Sequence, residues 1–565
     1  MIDFRLYRVA WLPAIAAFVM VMFSFQSIPT PIEPPVAPTA FDADRAQVNA
    51  RQILNAADER APGSVGDRAV ADLVMDRFSE IEAGTTASQS FKLSVDGEDA
   101  ELRNVAITLP GDSSRAILVL AARDSASGPG AASSAAATAT LIELAELLGG
   151  TDRTKTVVLV STGAGSEGAA GGREFLDAYA ERDLIEAAIV IAQPAAAARG
   201  GPYVLRDSID AGSTSAQLAR TAERAVADQA DRSASGRGVF ADLARLAMPV
   251  AVGEQSVLIA EGVAAVAISS AGERPLPPAA DEPGDLDPAT LGEFGSAVVT
   301  VVLAIDQSTT ELEHGPETYV EFGGNLIPGW ALATLALALL LPAAIAALDG
   351  VARAARRGQG EGHAIGWAGA LALVPLAILV LVYLLSVVGL VASPPYPFDP
   401  GRFGVGPGEL LVLVVIVAAA VSGYTVTGLL RPPRSSRRGA LVSALGAAAT
   451  LGAVASWLLN PFLALLLAPL AHVWLVAARE RPRRLSVIAA VVAALLPAAL
   501  ALRVVTGAVG AGTWDLVLMV ADGQISTLAL IALCPLAGSL VGLLAISQAP
   551  SDHGRGETRP SVQAP

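Results

Sequence analysis

The sequence predicts an α/β globular domain joined to an all-α polytopic membrane domain. Three observations predict it: short β-branched runs alternating with helical patterns up to about residue 310, long apolar blocks after residue 325, and arginines gathered in every second connection between those blocks. Of the 565 residues 53% are hydrophobic, more than an ordinary water-soluble protein carries. Acidic residues outnumber basic ones by 54 to 38, so the basic footprint of a nucleic-acid binder is missing and nucleic acid is not expected as a partner. Lysine occurs only as Lys92 and Lys155 amid abundant Ala, Val, Gly and Arg, a composition that points to a bacterial chain with GC-rich codons. The single cysteine, Cys534, lies in an apolar block and has no intrachain partner for a disulfide.

Residues 1–8 are expected to form a cytoplasmic N-terminus whose Arg5 and Arg8 flank a span over 9–26. That apolar stretch barely reaches the roughly 20 residues a spanning helix needs. It runs into Phe23-Ser-Phe-Gln26 and not a small-x-small site, which favours an uncleaved anchor over a signal peptide. The Pro-rich stretch 27–41 reads as a stiff spacer lifting the next domain off the bilayer. An α/β domain is expected over 42–310, a linker over 311–325, a membrane domain of about seven helices over 326–547, and a disordered cytoplasmic tail over 548–565. The apolar blocks of the membrane domain run 327–348, 365–392, 410–430, 440–459, 462–478, 485–509 and 525–546. Arg353, Arg356 and Arg357, then Arg431, Arg434, Arg437 and Arg438, then Arg479, Arg481, Arg483 and Arg484 fill alternate loops, while the loops between carry only Arg402. By the positive-inside rule both termini are cytoplasmic and residues 30–324 extracytoplasmic. The chain then reads as a multi-pass protein of the cell membrane, with the lipid bilayer as its first partner.

Within the α/β region helices are expected near 43–57, 66–82, 135–148 and 172–180, and strands near 104–109, 116–121 and 156–161. The runs Ala116 to Ala121 and Thr156 to Ser161 are continuously apolar or β-branched, as in strands buried on both faces. A mainly parallel or mixed sheet sandwiched by helices follows.

Several segments resemble family twenty-eight of the metallopeptidases, the zinc aminopeptidases of the aminopeptidase Y group. Arg60 to Gly66 resembles the family's helix-joining motif, Asn104 to Gly111 its next strand, and Ala121-Ala-Arg-Asp-Ser125 its Ala-His-x-Asp-Ser. Gly130 to Glu143 aligns without a gap with the Gly-Ala-x-Asp-Asn stretch and the helix after it. The turn through Gly168 resembles the segment of the paired glutamates, and Gly262 to Ile268 the late strand. The resemblance covers roughly residues 43–305 and implies a zinc-aminopeptidase-like fold with two zinc ions, held by imidazoles and carboxylates, that activate a water.

On that alignment the ligands are gone. The first histidine position is Ala122, the bridging aspartate is Ser133, the paired glutamates are Gly165 and Ser166, and the later aspartate falls at Ala192 or Gln193. The chain's four histidines, His314, His363, His472 and His553, all lie beyond residue 313, so no shift of alignment restores an imidazole. Asp124 alone is retained, in a position that orients a ligand histidine. Glu167, one residue from the expected catalytic place, reads either as a displaced base or as a solvated turn charge. Ser166 in Ala164-Gly-Ser-Glu-Gly168 approximates a nucleophile elbow but has no histidine base within the domain. In the membrane domain Asn460, His472 and Arg503 are the polar groups nearest membrane depth, each with a structural or interfacial reading beside the functional one.

Three functional readings stay open. The first is a non-catalytic, peptidase-like domain for binding or scaffolding, with no catalytic residue, no metal or other cofactor, and peptides or envelope proteins as partners. The second is a membrane-bound exopeptidase whose zinc sits on displaced ligands such as Asp124, Glu167, Asp207 and Asp210. The third is a transporter.

Overall fold

The computed structural model describes residues 4–34, 40–95, 97–197, 202–232, 237–397, 400, 402–479 and 483–548. His553 and the tail expected after residue 548 lie outside the described residues.

The sequence-expected α/β unit is a seven-stranded mixed sheet. Its strands in chain order are β1 (Thr85–Val95), β2 (Glu98–Leu109), β3 (Ser113–Ala122), β4 (Lys155–Thr162), β5 (Ile185–Ile191), β6 (Val204–Leu205) and β7 (Ala265–Ile268). Across the sheet they run β1-β2-β4-β3-β5-β7-β6, with β4, β3, β5 and β7 mutually parallel and the β1-β2 hairpin and β6 antiparallel at the two edges. The period-two alternation of the strands divides the core. Ile117, Val119, Leu159 and Ile189 face helices Ala43–Ala56, Val65–Ser79, Ala136–Gly149, Ala216–Ala230 and Pro288–Gln307, whereas Leu118, Leu120, Val160 and Val190 face Ala170–Ala178 and Glu254–Ala260. Asp42 and Ser64 start the first two of these helices by accepting from the amides of Arg45 at 2.9 Å and Asp67 at 3.1 Å.

Two arginines lie wholly within this unit. Arg123 meets Asp67 at 2.8 Å and donates to the carbonyls of Ser161 and Arg103. Arg60 donates to the carbonyls of Arg123 and Ala57 and to the Ser134 hydroxyl, so a buried cationic brace joins the first helices to the sheet.

Among the described residues eight helices are long and apolar enough to cross a membrane. Two of them, Ala131–Gly149 and Pro288–Gln307, are 89% and 72% buried and belong to the α/β core. The other six are Gly329–Arg356, Glu361–Val387, Pro407–Val426, Arg438–Leu459, Arg484–Val509 and Thr527–Gln548, joined by the shorter apolar helices Tyr7–Phe23 and Pro461–Ala477. Only 6% of the best window of Pro407–Val426 is covered by protein, and Leu410, Val414, Val417 and Val421 project outward, as in a helix solvated by lipid. A further short helix, Thr513–Ala521, forms between the apolar blocks 485–509 and 525–546, started by Asp515, whose carboxylate accepts from Gly512 N at 2.7 Å.

The proline-rich segment departs from expectation. Its described part does not stand free: Gln26–Ser27 pairs with Asn325 and Leu326, and Gly323 and Gly324 turn that strand back onto Tyr319–Phe322. Thr30 O then accepts from Gln217, and Ile32 N donates to Thr221. Residues 35–39 of the expected spacer lie outside the described residues. The extended chain meets a helix face with hydrogen-bonding side chains and is held along the domain.

The α/β unit consequently sits directly on the helical bundle. Ala244, Leu246 and Ala247 of helix Val239–Ala247 share an apolar cluster with Phe462, Leu463 and Val505. Beside it Arg237 bridges Asp207 and Glu273, each at 2.6 Å, Arg245 also meets Glu273, and Arg206 and Arg220 converge on Glu321. Burial alone would raise the Asp207 carboxyl, but Arg237 and Arg245 hold it far below the ordinary carboxylate range. Deep in the α/β unit, Asp67→Ala should leave Arg123 buried without its counter-charge and cost about 3–5 kcal/mol. Pulse proteolysis of the full-length protein in detergent would measure this, because all six tryptophans lie outside residues 42–310 and their fluorescence does not report on the α/β unit.

Candidate functional site

The parallel strands β3, β4, β5 and β7 end on one side of the sheet, where an open α/β sheet forms its crevice. Here Ala122 ends β3 opposite Thr162 of β4. Side chains alternate at this strand end: Arg123 turns to Asp67 in the core, and Asp124 turns to the loop after β4. Asp124 is 3% exposed and accepts from Gly165 N at 2.7 Å, Ser166 N at 2.9 Å and Ser166 Oγ at 2.6 Å. Its carboxylate thus staples the turn that the sequence aligns with the paired glutamates. Ser166 Oγ donates to that carboxylate and has no imidazole beside it, so the elbow reading finds no base.

Ser133 sits at the start of helix Ala131–Gly149 and does not face an open metal pocket. Asp281, from a remote loop, accepts from Ala132 N at 2.7 Å, from Ser133 N at 3.1 Å and from the Ser133 hydroxyl. A carboxylate at a helix N-terminus satisfies orphan amides and favours the helix dipole. Gln193, at the end of β5, takes a left-handed backbone (φ +47°) and its carbonyl accepts from Ser270 Oγ at 2.6 Å.

Gly165 defines the space available. A Cβ there would lie 2.4 Å from the Ala122 Cβ and 3.5 Å from Asp124 Oδ1, so the turn lies flush against β3. Glu167, next in the turn, is 3% exposed and meets Arg402 at 2.6 Å. Arg402 belongs to the connection between helices Glu361–Val387 and Pro407–Val426, and it also donates to Ser166 O at 3.3 Å. From the same connection Tyr396 presses its backbone on Gly168, where a Cβ would be 2.5 Å from the Tyr396 oxygen. Its hydroxyl donates to Ile209 O at 2.7 Å, and Arg173 donates to its carbonyl. A loop of the helical domain therefore caps the strand-end crevice, using the one arginine of its kind in the sequence.

Glu254 is the residue sequence reading missed. It is 3% exposed, opens helix Glu254–Ala260 beside Gly172, and neither carboxyl oxygen has a well-formed hydrogen bond. Burial raises its carboxyl to about 7; the Thr162 hydroxyl, Gly172 amide and Arg123 oppose the rise, while the Asp124 charge adds to it. No local motif marks such a residue, since its neighbours come from β4 and the helix after it.

The displaced-ligand set does not converge. Asp124 and Glu167 are engaged as described, Asp207 is held by Arg237 and Arg245, and Asp210 accepts from Ser208 Oγ and Gly212 N. Among the described residues no group of three or more His, Cys, Asp or Glu side chains is placed to hold a metal ion. Three of the roughly four acceptor positions on each of Asp124 and Asp281 are already taken by N–H and O–H donors. The residues at this crevice do not fit a zinc ion.

The membrane-domain candidates lie elsewhere. Asn460 accepts from Phe462 N at 2.9 Å and Leu463 N at 3.0 Å and donates to Leu246 O at 2.8 Å, fastening the hairpin between two bundle helices to the α/β unit. His472 links Tyr7 at 3.1 Å to Leu339 O at 2.9 Å and stacks on Trp11, tying the N-terminal helix to the bundle. Arg503 is exposed on Arg484–Val509.

Residues 104–301 match the family model of Peptidase family M28. The M28 match begins in β2 and closes in helix Pro288–Gln307, spanning the crevice positions from Ala122 to Asp281. No curated protein matches the chain. Similar solved structures include a glutaminyl cyclase from an Acidobacteriales bacterium, 19% identical over 50% of this chain and 99% of that one, at a TM-score of 0.39. A zinc aminopeptidase from Bacillus subtilis is 12% identical over 49% and 95%, at a TM-score of 0.38. A leucine aminopeptidase precursor from Bacteroides thetaiotaomicron is 16% identical over 47% and 99%, also at 0.38.

Two outcomes follow for this M28-like unit. A carboxyl raised from 4.5 to about 7 contributes stability that is complete below the ordinary value and lost as pH climbs through 7. Glu254→Gln should therefore flatten the pH dependence between 5 and 7 and raise stability at pH 8 by on the order of 2–3 kcal/mol, seen as a higher unfolding midpoint. Thermal unfolding at several pH values measures this. Arg402→Ala should free the loop around Tyr396 and raise its hydrogen-exchange rate roughly ten- to a hundred-fold, the weight of one charge-assisted hydrogen bond, with exchange in β3 to β5 unchanged.

Proposed function

We propose that this chain is a bacterial multi-pass protein of the cell membrane in which residues 30–324 lie outside the cytoplasm and the M28-like domain they contain, residues 42–310, acts as a non-catalytic binding or scaffolding unit. The observation that carries the reading is the crevice at the ends of β3 and β4: its turn lies flush on Ala122, its carboxylates Asp124 and Asp281 serve backbone amides, and Arg402 and Tyr396 of the helical domain cover it. A hydrolytic site needs an activated water or nucleophile held near a base. Here the nucleophile candidate Ser166 is bonded to Asp124, and the base candidate Glu167 is neutralised by Arg402. Both are in structural use. The positive-inside rule supports this orientation, since it favours the arginine-rich helix ends bearing Arg353, Arg438 and Arg479 on the cytoplasmic side and the capping loop on the outer side with the M28-like domain. Peptides or envelope proteins are the partners this reading expects. They would meet the domain on faces other than the capped crevice.

The test is elemental analysis of the full-length protein purified in detergent, with cleavage of a mixed aminoacyl-peptide library with and without added zinc. The expected result is zinc well below one equivalent and no turnover in either condition. Near-stoichiometric zinc, lost with chelator together with cleavage, would overturn the reading in favour of a membrane exopeptidase.

A further inference from the structure

At the opposite end of the helical bundle from the α/β unit lies a cavity of about 200 Å³ between three helices. Arg353 and Arg357 reach it from the end of Gly329–Arg356, Arg438 from the start of Arg438–Leu459, and Arg479 from just past Pro461–Ala477. Four guanidinium groups thus face one space. Asp349 pairs with Arg353 at 2.9 Å, but Arg357, Arg438 and Arg479 form no ion pair among the described residues. Arg438–Leu459 is 22 residues long and carries no side-chain cap at Arg437, so its first turn presents the positive end of the helix dipole at the cavity through Arg438 and Gly439.

The inner wall is of another kind. Ala354, Val442 and Ala477 close the cavity toward the bundle, and Gly350 sits so near Ser443 that a Cβ would meet its hydroxyl at 2.6 Å. The rim is held in place: Gln359 O accepts from Arg437 N at 3.0 Å and Gly360 O from Ser436 Oγ at 2.6 Å, locking one arginine-bearing connection onto the next. A preformed pocket with a cationic rim and an apolar floor, located where spanning helices end, matches an amphiphile whose charge is an anionic phosphate. Arginine is the side chain suited to that group, through its fork of donors.

We infer that this cavity binds the phosphate headgroup of an anionic membrane lipid. The phosphodiester lies among Arg357, Arg438 and Arg479, and the glycerol backbone lies toward Ala354, Val442 and Ala477. The ligand stands on the bundle face away from the M28-like unit, so the site is independent of whether that unit is catalytic.

The probe is phosphatidylglycerol carrying a dansyl headgroup-proximal label, added to the full-length protein in detergent and read by energy transfer from its tryptophans, all six of which lie outside residues 42–310. The paired substitution Arg438→Gln with Arg479→Gln should weaken binding roughly ten- to thirty-fold, the worth of two such contacts. Arg431→Gln with Arg434→Gln removes equal charge from the neighbouring loop without lining the cavity, and should change binding less than about two-fold on the same scale. Labelled phosphatidylcholine should bind weakly, and millimolar inorganic phosphate should leave bound phosphatidylglycerol in place. Equal losses from both pairs would overturn the site as diffuse surface charge, lack of preference over phosphatidylcholine would overturn the headgroup assignment, and displacement by inorganic phosphate would make it a free-anion site. Should the paired variant not fold, Arg357→Gln, at an exposed helix end, gives the same readout.

Discussion

Arg402 reaching across the seam to Glu167 is the contact on which the arrangement of the two domains turns. A carboxylate that deep carries a large desolvation cost unless a partner is supplied, and the partner comes from a different domain about 235 residues away in sequence. The local sequence accommodates it. Gly165 lets the turn lie on β3, Gly168 lets the Tyr396 backbone approach, and Asp124 fixes the turn so that Glu167 points at the seam. The same three features remove the room a metal centre would need, so the docking of the loop and the closing of the crevice are one structural fact.

Seen along its long axis, the molecule separates its chemistry by level. Ion pairs built from Arg206, Arg237, Arg245, Glu273 and Glu321 lie within the α/β unit beside the apolar patch that meets the bundle, each arginine meeting at least one carboxylate. The far end holds arginines in excess of acids. Between them the bundle carries few polar side chains, and those that occur, such as His472 and Asn460, are satisfied by neighbouring helices or by the α/β unit. Paired charge stiffens the surface of the α/β unit that rests on the bundle; charge left unpaired among the described residues is available to a ligand.

Much of this was legible in the sequence, and what was not shares a cause. Strands β3 and β4 announced themselves as apolar runs, and the helices starting at Ala43, Val65 and Ala136 by their helical patterning. The missing histidines needed only counting. Strand β1 was missed because it is an edge strand of mostly polar residues, Thr85 to Ser90, whose pairing is set by β2 and not by its own hydrophobicity. The spacer was misjudged because proline content encodes stiffness but not attachment, which Gln217 and Thr221 supply from another segment. Asp281, Glu254 and Arg402 were invisible as site residues for the same reason: each acts on a turn or helix end contributed by a distant stretch, and periodicity is blind to partners that folding brings together. Arg402 read as a stray charge in a loop otherwise without arginine.

The ribbon in which Gln26–Ser27 lies against Asn325 and Leu326 has one more consequence. The chain departs from the bundle and returns to it at neighbouring points, so the whole α/β unit is topologically an insertion between two bundle helices, entered and left through a single doorway. A tight turn joining Ser27 directly to Asn325 would close the bundle without moving any of its helices. Such a doorway lets a helical bundle gain, lose or exchange its appended domain over evolution while its own packing stays untouched, and it lets that domain change without consequence for the helices beneath it.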